Sequence, residues 1–266
     1  MDLSIGLLLL LIGIVAGGYG AIVGAGGGFI YVPALLLILN MNPSIAAGTG
    51  LVIVLINSIS AVSGYARQKK ICYKTGILIA IGALPGSLVG VWFLHIYSSH
   101  YFFVIFSVVL ISLGLFLFLQ NSSFKKKFFK HDNKANSFKP NTKLKREKYL
   151  DGKLLLPIGL LMGVFSSYLG IGGGWLLVPI LVYFFKFPTH YATATSIFSL
   201  GIYSSYGVIS QIFYNSINWT AVIWGAIGIV IGSQIGVIIA QKISGRVVMQ
   251  MLSILLILIG FRMYFG

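Results

Sequence analysis

Residues 24–35 read Gly-Ala-Gly-Gly-Gly-Phe-Ile-Tyr-Val-Pro-Ala-Leu, and residues 170–181 read Gly-Ile-Gly-Gly-Gly-Trp-Leu-Leu-Val-Pro-Ile-Leu. The two stretches align without a gap, Gly24 on Gly170 and Pro33 on Pro179, an offset of 146. The same offset places Gly13 and Gly17 on Gly159 and Gly163, and Ala46 and Thr49 on Ala192 and Thr195. It places Ser58 on Ser204, Gly114 on Gly260, and Gly82, Gly86, Ser87 and Gly90 on Gly228, Gly232, Ser233 and Gly236. One register kept along the whole chain is the mark of a duplicated unit. The chain therefore divides into a first repeat at 1–120, a linker at 121–152 and a second repeat at 153–266.

Composition says where these units live. Of 266 residues, 58% are hydrophobic and only 9% charged, against roughly 25% charged in an ordinary soluble domain. No Asp, Glu, Lys or Arg occurs in 3–66, 75–124, 154–185 or 187–241. A spanning helix needs about 20 apolar residues, so these runs are multi-helix stretches. A membrane β-barrel would alternate polar and apolar residues, and runs such as 7–12 and 252–259 do not. The expected fold class is an all-α polytopic membrane protein with five apolar segments in each repeat. In the first they are 3–23, 29–40, 45–66, 74–96 and 101–120; in the second, 153–169, 175–186, 191–214, 219–241 and 246–265. The second segment of each set is too short for the bilayer core, since twelve helical residues rise only about 18 Å. It is expected either to cross steeply or to re-enter. The start, Met1-Asp2-Leu3, lacks the basic region of a cleaved signal peptide, so the first segment is expected to stay in the mature protein.

The formal net charge of +15 suggests nucleic acid, and position removes that reading. Eleven of the 19 basic residues lie between Lys125 and Lys153, in one polar segment, and most others sit at the edges of apolar runs. This is the pattern of loops facing the cytoplasm, and no nucleic-acid partner is expected. The loop after segment three carries Arg67, Lys69 and Lys70, while its equivalent, 215–218, is uncharged. Between segments four and five the bias reverses: 95–100 has no Lys or Arg, and its equivalent carries Lys242 and Arg246. Equivalent loops thus face opposite sides, the repeats are inverted, and the linker lies inside. Arg262, near an outward C-terminus, is the one contrary charge.

Gly24-x-Gly-Gly-Gly28 superficially resembles a dinucleotide fingerprint, but that motif needs a strand, a helix and an acid about 20 residues on, and no acid lies in 3–66. Two readings remain. The glycines can serve close helix packing, or they can break helices at membrane depth. Non-helical backbone there is tolerated where it lines a cavity or is buried in protein, and matched breaks in inverted repeats point to a transporter's binding site. On the second reading Gly24, Gly26, Gly27 and Gly28, with Gly170, Gly172, Gly173 and Gly174, present backbone amides to a small anion. Thr49, Thr195 and Ser196 open the following segments and are candidate binding residues, although a hydroxyl can also bond back to its own helix. The stripes at Gly82, Gly86 and Gly90 and at Gly228, Gly232 and Gly236 share a helix face and are read as helix-packing surfaces. Lys186 and His190 are read as interface anchors. One cysteine and scattered histidines give no metal cluster, and no cofactor is expected. The apolar segments carry no acid, which argues against a membrane-embedded hydrolase or transferase.

The doubled Gly-x-Gly-Gly-Gly-(Phe/Trp)-(Ile/Leu)-x-Val-Pro-x-Leu, the Ala-x-x-Thr-(Gly/Ser) segments at 46–50 and 192–196 and the paired stripes resemble the TauE/SafE family of sulfite and sulfonate exporters, also called the toluene sulfonate uptake permease family. The resemblance covers nearly all of the chain except the linker, and departs from internal symmetry where Gly50 stands opposite Ser196. It implies a multi-pass carrier of the bacterial inner membrane that moves sulfite, sulfonates or related oxyanions, often outward, with the glycine clusters lining the pathway. The expected partners are a small anionic substrate and the lipid bilayer, with a homodimer among the assemblies such a fold allows. Two other classes remain beside it: a non-transporting scaffold or assembly factor, and an uptake carrier for another small solute. A scaffold gives no reason for paired breaks.

Overall fold

The computed structural model describes residues 3–96, 100–123 and 152–265, which form ten α-helices. They are α1 (Leu3–Val23), α2 (Gly28–Ile38), α3 (Pro43–Arg67), α4 (Tyr73–Ile96), α5 (His100–Ser123), α6 (Gly152–Leu169), α7 (Gly174–Tyr183), α8 (Thr189–Phe213), α9 (Trp219–Ala240) and α10 (Gly245–Phe265). Six of them, α1, α3, α4, α5, α9 and α10, are long and apolar enough to cross a bilayer. The chain is an all-α, multi-pass membrane protein. Helix α8 matches α3 in length at 25 residues, but Thr193, Thr195, Ser196, Ser199 and Ser204 stand where apolar side chains would raise its hydropathy, and all five are buried. Helices α2 and α7, at 11 and 10 residues, rise only about 15–17 Å, and each carries a proline, Pro33 or Pro179, in its interior. The linker expected at 121–152 falls mostly outside the described residues.

The helices interleave. Helix α1 packs on α9, α6 on α4, α5 on α10, and α3 on α8. The closeness of the first two contacts comes from glycine. A β-carbon added at Gly13 would lie 2.6 Å from the carbonyl oxygen of Gly225, and one at Gly17 only 2.5 Å from that of Ile229. At the equivalent contact, β-carbons on Gly159 and Gly163 would strike the carbonyls of Ile79 and Ala83, and those on Gly82, Gly86 and Gly90 the carbonyls of Leu156, Leu160 and Val164. Backbones at this separation gain dispersion energy that bulkier residues would forfeit, the usual means of helix association where lipid removes a hydrophobic drive. The stripes are packing surfaces, as their spacing suggested. At the edge of each stripe a serine bonds across to a neighbouring helix: Ser87 Oγ lies 2.7 Å from Ser167 Oγ, and Ser233 donates to Ser60 Oγ at 2.5 Å.

Loops repeat as faithfully as helices. The non-glycine residues with positive φ are Asn40, Lys69, Lys186 and Asn215, two pairs at the offset of 146. Lys69 and Asn215 end α3 and α8 alike, each N–H donating to the carbonyl three residues back, Ala66 or Ile212. Helices α3 and α8 pack on each other, with the short helix α2 on α3 and the short helix α7 on α8.

Candidate functional site

The site begins where helices stop. Helix α1 ends at Val23, and Gly24, Gly26 and Gly27 all have positive φ, at 87°, 83° and 78°. Only glycine adopts such a run without strain, so the chain turns within four residues and starts α2 at Gly28. The second break, after α6, has positive φ at Gly170 and Gly172, but Gly173 sits at φ −90°. The two copies differ in backbone at this one residue.

The two breaks touch. A β-carbon on Gly28 would lie 2.8 Å from Ile171 Cα and 2.9 Å from the Gly170 oxygen, and one on Gly174 would lie 2.9 Å from Ala25 Cα. The N-terminus of each short helix therefore abuts the other break. The N–H groups of Ile30 and Tyr31 return to the Gly27 carbonyl, and those of Leu176 and Leu177 to Gly173. The N–H groups of Gly28 and Phe29, and of Gly174 and Trp175, have no acceptor inside their helices. Each helix start also carries about half a unit of positive charge from its dipole. Every described residue from 24 to 29 and from 170 to 175 is buried.

Side chains from α3 and α8 complete the region. Val54 and Leu200, again 146 apart, press on the breaks: Val54 Cγ1 would be 2.9 Å from a β-carbon on Gly26, and Leu200 Cδ1 3.2 Å from one on Gly172. The buried Tyr203 hydroxyl oxygen accepts the Gly173 N–H at 3.1 Å. Ser196 donates to the Gly24 carbonyl at 3.0 Å, whereas at the equivalent position a β-carbon on Gly50 would lie 2.5 Å from the Gly170 oxygen. Gly50 and Ser196 therefore serve one contact in two ways. Where the backbones leave room a hydroxyl bonds the carbonyl; where they do not, glycine lets it approach.

Thr49 and Thr195 sit one helix turn away and do matched work. The Thr49 hydroxyl accepts the N–H of Asn218 at 3.0 Å, and the Thr195 hydroxyl accepts that of Cys72 at 3.0 Å. Each threonine fixes the chain leading into α9 or α4. Three further buried polar side chains lie next in sequence to this machinery. Neither Asn57 Nδ2 nor Oδ1 has a partner, and the same holds for Ser58 Oγ and Ser204 Oγ. Among the described residues no three His, Cys, Asp or Glu side chains gather, so the polar chemistry here is that of amides and hydroxyls.

Sequence reasoning named the glycines, Thr49, Thr195 and Ser196, and the structure gathers the glycines and Ser196 at one place. It did not single out Val54, Leu200 or Tyr203. The signal was present in the offset: Val54 pairs with Leu200 and Asn57 with Tyr203, on the helices that follow the breaks.

The comparisons agree with one another. The family model described as sulfite exporter TauE/SafE matches residues 9–263. The chain is 29% identical over 262 residues to the probable membrane transporter protein YunE of Bacillus subtilis, covering 95% of each chain. It is 32% identical over 270 residues to a probable membrane transporter protein of Methanocaldococcus jannaschii, covering 95% of this chain and 93% of that one. It is 25% identical to the probable membrane transporter protein YjnA of Bacillus subtilis over 90% of each. No solved structure matches the chain.

Proposed function

The chain belongs to the TauE/SafE family of membrane transporters, and from that premise we propose that it carries a small sulfur-containing anion, sulfite or a sulfonate, outward across a bacterial inner membrane. One observation carries this reading: the starts of α2 and α7 meet at glycine breaks buried in the protein. Helix starts with unsatisfied amides are suited to anions, and paired broken helices from two repeats mark the binding centre in many secondary transporters.

In this reading the repeats, 1–120 and 153–266, are inverted. The matched backbones at Lys69 and Asn215 support it. Equal geometry with unequal charge leaves the membrane side, rather than the fold, as the reason for the lysine. The backbone of Gly24, Gly26, Gly27, Gly28, Gly170, Gly172, Gly173 and Gly174 forms the anion's surroundings. Ser196 acts through its hold on the Gly24 carbonyl, and Thr49 and Thr195 act by fixing the helix ends beside the site.

The test is flux from proteoliposomes loaded with radiolabelled sulfite or ethanesulfonate. Wild-type protein is expected to release the anion faster than empty liposomes, and Gly27→Val, inserted and folded, is expected to lose that release. Release at the rate of empty liposomes for every sulfur anion tried would reject the reading. Wild-type flux in Gly27→Val would return the glycine break to a packing role.

A further inference from the structure

We propose that Asn57, with Ser58 and Ser204, forms the polar face that receives the oxyanion head of the solute. This deepens the transport reading and rests on it.

The first support is the state of these side chains. All three are fully buried, and none of their polar atoms has a partner. Buried polar groups are rarely left so, and each such case asks for a function. Four of the eight unpartnered buried polar atoms among the described residues belong to these three side chains, while the buried hydroxyls of Tyr31, Tyr65 and Tyr203 are bonded.

The second is register. Val54 presses on Gly26, and Asn57 and Ser58 follow it by three and four residues, so they lie on the same face of α3. Tyr203 and Ser204 follow Leu200 in the same way on α8. A β-carbon on Gly201 would lie 3.4 Å from Ser58 Cβ, which sets Ser58 at the α3–α8 contact, one turn from Ser204.

The third is the inequality of the halves. Tyr203 reaches the second break and accepts the Gly173 N–H. Asn57 holds the equivalent place on α3 but is shorter by a ring, and its amide is left without a bond. The N–H groups of Gly28 and Phe29, like those of Gly174 and Trp175, have no helical acceptor. Of the two equivalent positions Tyr203 is bonded to its break, and Asn57 is left for a ligand.

The donors are neutral: one amide, two hydroxyls and backbone N–H groups, with no Lys or Arg in 3–66 or 187–241, the stretches that carry Asn57, Ser58 and Ser204. Two helix starts supply about one unit of positive charge together. The cost of burying an ion rises with the square of its charge, and a dianion gains no cation here to offset it. The ligand class that fits is a monoanion with a tetrahedral oxyanion head, rather than a dianion such as sulfate.

The test uses the purified full chain in detergent, with ethanesulfonate and sulfate as probes, read by thermal unfolding and by calorimetric Kd. Wild type is expected to bind ethanesulfonate more tightly than sulfate. Asn57→Leu, which removes an unpartnered amide at similar volume, is expected to keep or raise the melting temperature without anion and to weaken ethanesulfonate binding about tenfold or more. If Asn57→Leu does not fold, the double variant Ser58→Ala with Ser204→Ala carries the same expectation. Unchanged affinity in the folded variant would overturn the assignment while leaving the transport reading intact. A lower melting temperature with unchanged affinity would give Asn57 a structural role instead. Tighter binding of sulfate than of ethanesulfonate by wild type would overturn the charge selection, and binding of neither would overturn the transport reading together with this assignment.

Discussion

Val54 and Leu200, from two different central helices, press on the same pair of glycines. A β-carbon on Gly172 would meet Val54 Cγ1 at 3.1 Å and Leu200 Cδ1 at 3.2 Å, and one on Gly26 would meet both side chains as well. The breaks are thus sealed by two apolar side chains that the repeat makes equivalent. An anion between the breaks must displace them. The double variant Val54→Ala with Leu200→Ala is therefore expected to raise passive release of ethanesulfonate from liposomes several-fold. It is also expected to lose roughly 2–5 kcal/mol of stability per deleted side chain at the upper end, by cavity formation. Chemical unfolding and flux read the two effects separately, and unchanged flux in a destabilised variant would deny the side chains a sealing role.

Gly173 and Tyr203 should be coupled. The Tyr203 oxygen accepts the Gly173 N–H at 3.1 Å, and a β-carbon on Gly173 would lie 2.6 Å from the same oxygen. Tyr203→Phe leaves a buried donor unpaired, costing about 1–3 kcal/mol. Gly173→Ala pushes the phenol away and should cost a similar amount. In the double variant the clash with the phenol oxygen is gone, and the 3.0 Å approach to the Met162 carbonyl oxygen remains, so the combined loss is expected to fall short of the sum. Additive losses in a thermal-unfolding cycle would show that the tyrosine does not hold this break.

The fold was legible in the sequence to the extent that composition and spacing could speak. Charge-free runs marked the membrane, and the offset from Gly24 to Gly170 marked the duplication. The four-residue glycine spacing marked the α4 and α9 packing faces. What spacing could not show was which helices meet, because the contacts of α1 with α9 and of α6 with α4 join residues more than 60 positions apart. For the same reason Thr49 read equally well as a ligand group and as a helix back-bond. Its actual partner is the N–H of Asn218, 169 residues away. Val54 and Leu200 were invisible for a different reason. Nothing in an apolar side chain among dozens marks it as the one against a glycine break.

The two threonines make a paired prediction. Thr49→Val and Thr195→Val keep the side-chain shape and delete the acceptor for Asn218 N–H and Cys72 N–H. Each is expected to lower stability by about 1–3 kcal/mol, the range for stranding a buried donor, and by similar amounts because the contacts are equivalent. Thr→Ser at either site should cost less. Ethanesulfonate affinity should change little if these hydroxyls only fix the helix ends. A large loss of affinity with intact stability would make them direct ligands.

Topology has a direct readout. Single cysteines at Asn215 and at Lys69, in a background with Cys72→Ser, occupy equivalent loops of the two repeats. An impermeant maleimide added to intact cells should label position 215 and not position 69, and the order should reverse in inside-out vesicles. Labelling of both from the same side would end the inverted arrangement.

Energy coupling follows from what the spans lack. Proton-coupled carriers commonly keep an ionisable side chain within the membrane, yet the acids of this chain are Asp2, Asp132, Glu147 and Asp151, all outside the apolar segments. Of the four histidines, His95 lies near the end of α4, its ring stacked 3.9 Å from Tyr214. His190 is the second residue of α8, and His95 Nε2 lies 3.3 Å from Gln211 Oε1. His131 falls outside the described residues, and so does the side chain of His100. With no carboxylate available for a proton relay, the membrane potential is the simplest remaining drive. An inside-negative potential favours exit of each negative charge by about 2.3 kcal/mol per 100 mV, which is close to a fiftyfold accumulation ratio at about 1.4 kcal/mol per decade. Ethanesulfonate efflux from proteoliposomes should therefore rise with a potassium–valinomycin potential of inside-negative sign. It should be indifferent to a pH gradient imposed at zero potential. Efflux that follows the pH gradient and ignores the potential would place a proton carrier in the mechanism and remove electrogenic export.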